Sequence, residues 1–136
     1  MKKLGRFSIV SIFALLIITA FGCNVSTANL SSLKTSKDKD GKEETSSYKI
    51  GDVIYAKAIV SNNPGKVKVK LSLADPKGET LKGSEVSLDI DGDGSANYNL
   101  PTGEALPAGS YKLTADMLNE AGEKKDSKSA TITLAE

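Results

Sequence analysis

The chain has 136 residues and a formal charge of +1, with no histidine, no tryptophan and one cysteine. Missing histidine excludes Ser-His-Asp and Cys-His catalysis, imidazole general bases and imidazole metal ligands, and a lone cysteine excludes an internal disulfide. Three of the 18 basic residues precede Cys23 and none of the 17 acidic ones does, so the remainder is net acidic, with no footprint for nucleic acid, and Arg6 is the only arginine.

Lys2, Lys3 and Arg6 form a basic head. Residues 7–21 (FSIVSIFALLIITAF) are almost wholly apolar. A run of about 15 residues is short for a membrane-spanning helix, which needs about 20, and suits the core of a secretion signal. The basic head is expected to stay cytoplasmic. Ala20-Phe21-Gly22-Cys23 resembles the lipobox of bacterial lipoproteins, in which a small residue directly precedes the cysteine. Gly22 and Cys23 carry the resemblance, while Ala20 stands where the family usually has Leu and Phe21 is bulky.

The resemblance implies cleavage between Gly22 and Cys23, a diacylglycerol thioether on Cys23, and acylation of the new amino group by a fatty acid such as palmitate. Two or three chains suffice for anchoring at about 0.8 kcal/mol per buried methylene. The expected location is the cell membrane or outer membrane, on the extracytoplasmic side. An uncleaved anchor helix and an ordinary signal with an incidental cysteine are the alternatives.

Residues 23–46 (CNVSTANLSSLKTSKDKDGKEETS) are rich in Ser, Thr, Lys, Asp and Glu, with isolated apolar positions. That composition reads as a disordered linker, with a mean reach of about 25 Å. The acid pairs Asp38/Asp40 and Glu43/Glu44 read as solvation of that linker.

From 47 to 136 the pattern becomes two-residue alternation. Residues 52–61 read as a central strand. In 66–74 (KVKVKLSLA) Val67, Val69, Leu71 and Leu73 face one way and Lys66, Lys68, Lys70 and Ser72 the other. The lysine stripe suits an anionic partner, a solvated face or a guard against edge pairing. Turns are expected at 62–65 and 75–78. Strands 85–90 and 95–100 read as a hairpin around Asp91-Gly92-Asp93-Gly94. Strands 110–118 and 127–135 close the set.

About seven short strands without a helical pattern predict an all-β, antiparallel two-sheet sandwich. Gly109, Tyr111, Leu113, Gly122, Thr131 and Thr133 carry a resemblance to bacterial immunoglobulin-like and fibronectin-III-like domains. Tyr111 is expected at the core edge, its hydroxyl pinning a loop.

The segment 89–94 (DIDGDG) matches the first half of a calcium loop. Asp89, Asp91 and Asp93 would be ligands, with Asn97 at the ninth position, but the twelfth is Leu100 instead of Glu. The competing reading is a polar hairpin turn. No other cofactor is implied. The function expected from these features is a membrane-anchored surface lipoprotein whose non-catalytic module binds or adheres to a protein or polysaccharide. The alternative is a small accessory subunit of an envelope transport or secretion complex.

Overall fold

A computed structural model describes residues 27–101 and 106–136, with Pro101 described by its backbone alone. The eight strands are β1 (Asn29–Ser36), β2 (Ser47–Lys49), β3 (Val53–Ser61), β4 (Lys66–Ala74), β5 (Val86–Asp91), β6 (Gly94–Pro101), β7 (Gly109–Leu118) and β8 (Lys124–Ala135). They form a three-stranded sheet of order β1-β3-β6 and a five-stranded sheet of order β2-β8-β7-β4-β5. This is the predicted all-β, two-sheet sandwich. All pairings are antiparallel except β2–β8, where 47–49 run parallel to the end of the chain.

Alternation decides which side chains enter the core. β4 buries Val67, Val69, Leu71 and Leu73, and β7 buries Tyr111, Leu113, Ala115 and Met117. Ile132 and Leu134 of β8 join them. The three-stranded sheet supplies smaller residues from its centre, Ala56, Ala58 and Ala96, with Leu30, Ile54, Val60 and Tyr98 around them. Large side chains from one sheet thus meet small ones from the other, as close packing demands.

Two sequence-based expectations are corrected here. The first is the linker: 27–46 are part of the fold. Alternation fails to reveal β1 because a bulge between Leu30 and Ser32 inserts Ser31 and resets the register. Leu30 nonetheless lies in the core at 2% exposure, and its amide donates to Asp126 Oδ2 at 2.8 Å, tying β1 to β8 across the sheet edges. The second is the 85–100 hairpin. β5 pairs with β4 and β6 pairs with β3, so residues 92 and 93 carry the chain from one sheet to the other. The turn at 62–65 makes the same crossing between β3 and β4.

Tyrosine hydroxyls pin the connections. Tyr111 Oη donates to the Pro107 carbonyl at 2.7 Å, as expected of a core-edge tyrosine at the start of its strand. Tyr98 Oη donates to Ser84 O at 2.6 Å, and Ser84 Oγ in turn donates to Leu81 O at 2.7 Å, holding the β4–β5 connection. Tyr48 Oη donates to Ser36 O at 2.9 Å and closes the β1–β2 loop. Burial raises the pKa of all three phenols.

Candidate functional site: an outward groove on the three-stranded sheet

Strand register places the outward-facing side chains. In the three-stranded sheet Lys34, Lys57 and Asn97 share one row, and Ser36, Tyr55 and Asn99 the next. Residues paired across antiparallel strands project on the same side, so Tyr55 and Lys57 stand beside the two amides. A groove of about 320 Å³ runs over this patch, and Lys39, Asp40 and Gly41 of the β1–β2 loop wall its other side. The Tyr55 ring is half-buried, while Lys57, Asn97 and Asn99 are exposed. Among the described residues, none of these four side chains makes a hydrogen bond or ion pair.

The loop forming the wall is ordered by one carboxylate. Asp38 accepts from the amides of Asp40 (2.9 Å), Lys42 (3.1 Å) and Glu43 (2.6 Å). These bonds, led by that from Glu43, lower its pKa from the usual 3.8. Gly41 turns the chain at φ 75°, and Thr45 N closes the loop onto Thr35 O at 3.0 Å. Asp38, read from sequence as solvating a linker, organises a loop.

The five-stranded sheet presents a different outer surface. Lys70 pairs with Glu85 at 3.1 Å, Lys68 approaches Asp89 at 3.9 Å, and Lys124 approaches Asp116 at 3.8 Å. Ser127 Oγ donates to Asp116 Oδ1 at 2.6 Å. The predicted lysine stripe lies here, outward as expected. β4 is flanked by β5 and β7, so the stripe guards no sheet edge. Lys68 and Lys70 neutralise neighbouring acids.

The four predicted calcium ligands are not brought together. Asp89 and Asp91 project outward from β5, in register with Lys68 and Lys66. Asp93 Oδ1 accepts from the Asn63 amide at 2.8 Å and staples the two crossing turns. Asn97 belongs to the opposite sheet, in register with Lys57. The D-x-D-x-D-G pattern straddles the point where the chain changes sheets, so its members separate. Among the described residues no group of three or more His, Cys, Asp and Glu side chains is placed to hold a metal. Gly22, Cys23 and the whole leader 1–22 lie outside the described residues.

Of the groove residues, the sequence singles out only Asp40 and Asn97, in other roles. Lys57 and Asn99 carried no local signal, because their juxtaposition comes from pairing between β3 and β6.

No protein-family model matches the chain, and no curated protein matches it. Solved structures do resemble it. A Niemann-Pick type C2 protein from the Japanese carpenter ant is similar at 16% identity and a TM-score of 0.53, over 79% of this chain and 92% of that one. The CARDB domain of a Pyrococcus furiosus protein, solved in complex with di-metal ions, is similar at 16% identity and a TM-score of 0.45, over 80% and 86%. A family 123 glycoside hydrolase from Clostridium perfringens gives 18% identity and a TM-score of 0.37, over 76% of this chain and 26% of that one. At such identities the ant protein's likeness concerns the fold alone.

Proposed function

We propose that this chain is a lipid-anchored, extracytoplasmic binding module that contacts a polysaccharide through the groove over Tyr55. The observation carrying the reading is the set Tyr55, Lys57, Asn97 and Asn99, four adjacent outward side chains without hydrogen-bond or ion-pair partners among the described residues. A tyrosine ring offers an apolar face and a polar tip. Each amide offers two donors and an acceptor, the complement of vicinal hydroxyls. A carbohydrate presents that combination: C–H faces flanked by hydroxyl groups. The Lys57 ammonium favours acidic sugars in addition. The groove is shallow and its wall is ordered by Asp38, so binding needs little rearrangement.

The anchor rests on the leader and on Cys23. The fold supports contact as the mode of action, because loops and sheet faces held on a rigid sandwich serve recognition. Two measurements test the proposal. Membrane fractionation of Cys23→Ser is expected to release the protein. A glycan array probed with residues 27–136 is expected to show selective binding that Tyr55→Ala weakens about tenfold or more, the loss of one stacked contact. Binding unchanged in Tyr55→Ala would remove the groove from the account.

A further inference from the structure

The two ends of the sandwich are not equivalent with respect to the anchor. One end carries the crossing turns 62–65 and 92–93, the β7–β8 turn 119–123 and the start of β1. Thr27 is fastened there, its hydroxyl donating to Asn62 O at 2.9 Å. Asn63 and Asp93 lace the two crossing turns together, and Gly92 N donates to Gly65 O at 2.8 Å, so this end is a rigid cap. Only Asn24, Val25 and Ser26 separate Cys23 from Thr27. Four residue steps extend at most about 14 Å.

We infer that this end faces the phospholipid headgroups of the anchoring membrane and that the opposite end points away from it. The inference rests on the lipid-anchor reading of Cys23. Thr27 is already fastened to the fold, so the span from Cys23 is too short to let the domain turn over. The ten residues of β7 extend about 33 Å at strand rise, which sets the separation of the two ends. The membrane-side end has mixed charge: Lys66 and Lys68 stand among Asp89, Asp91 and Glu120 around a groove of about 580 Å³. Adjacent cations and anions fit the phosphate and ammonium of zwitterionic headgroups and exert no net pull toward an anionic surface. The Tyr55 groove lies toward the other end, near the start of β3 and the end of β6, where a partner outside the membrane reaches it.

The thioether would consume the only native cysteine, so an introduced thiol is the sole labelling site. Ala121→Cys and Lys77→Cys, one at each end and both exposed, are labelled with a donor dye in the lipidated full chain. The protein is reconstituted in phosphatidylcholine–phosphatidylethanolamine vesicles carrying a headgroup acceptor. Energy transfer is expected to be several-fold greater from position 121 than from position 77. Inserting about 20 Gly/Ser residues between Ser26 and Thr27, a mean reach of about 25 Å, is expected to level the two. Equal transfer from both positions in the native chain, or greater transfer from 77, would overturn the orientation while leaving the anchor intact. A difference that survives the insertion would overturn the short tether as its cause. If Cys23→Ser stays membrane-bound, the anchor reading fails and the orientation falls with it.

Discussion

The two sheets use their outer faces differently. On the five-stranded sheet, Lys68, Lys70 and Lys124 stand opposite acids, and Asp116 also takes the Ser127 hydroxyl. On the three-stranded sheet Lys34 pairs with Glu44 at 2.6 Å, while Lys57, Tyr55, Asn97 and Asn99 beside it lie side by side with no such partners among the described residues. Both faces are polar, and composition alone would treat them alike. The first pairs several of its lysines with acids, though Lys66 and Lys112 stand without such a partner among the described residues. The second leaves donors and acceptors for another molecule, and a loop ordered by Asp38 stands beside it.

The largest expected effects test whether the smaller sheet is as integral to the fold as the larger. Leu30→Ala in β1 and Leu113→Ala in β7 each remove a fully buried side chain, and each should cost about 2–5 kcal/mol in urea unfolding. A loss at Leu30 near zero, as a linker residue would give, would detach β1 from the core. Next come the tyrosine pins. Tyr98→Phe and Tyr111→Phe each orphan a carbonyl and should cost about 1–3 kcal/mol. Their raised pKa values also predict a pH dependence. The unfolded chain ionises first as pH rises past 10.0, so stability should fall from there upward, and less steeply in each Phe variant.

Asp38→Asn should act locally. Its lowered pKa means its contribution is present above pH 3.8 and is lost as pH falls through the folded-state value. Protection of amides 39–43 from exchange, relative to their intrinsic rates, should therefore fall in the Asn variant at neutral pH, and in the native chain only under acid. The smallest effect belongs to the ion-paired face. Lys68→Ala breaks an exposed 3.9 Å pair and should change stability by no more than about 1 kcal/mol.

Much of the five-stranded sheet is legible in the sequence because alternation is a local property. Val67, Val69, Leu71 and Leu73 announce β4, and Tyr111, Leu113, Ala115 and Met117 announce β7. Pairing is a non-local property, which is why 85–100 reads as a hairpin although its two strands join different sheets. β1 is obscured by its bulge and by an inner face that mixes Leu30 and Leu33 with Thr35. The 37–44 loop is held by the Asp38 carboxylate and backbone amides, an arrangement without hydrophobic pattern. The groove is least legible of all. Tyr55 and Asn99 are 44 positions apart and meet only through the β3–β6 register. Sequence spacing offers Asn97 as a metal ligand, whereas the β3–β6 register sets it beside Lys57 on the sheet opposite Asp89 and Asp91.

Two-dimensional amide NMR of residues 27–136, titrated with polysaccharide from the envelope of the source cell, compares the two faces directly. The account predicts shifts concentrated at Tyr55, Lys57, Asn97, Asn99 and the 38–41 loop, with Thr114, Ser129 and Thr131 of the other sheet unmoved. Shifts on the five-stranded face, or none on either, would contradict it.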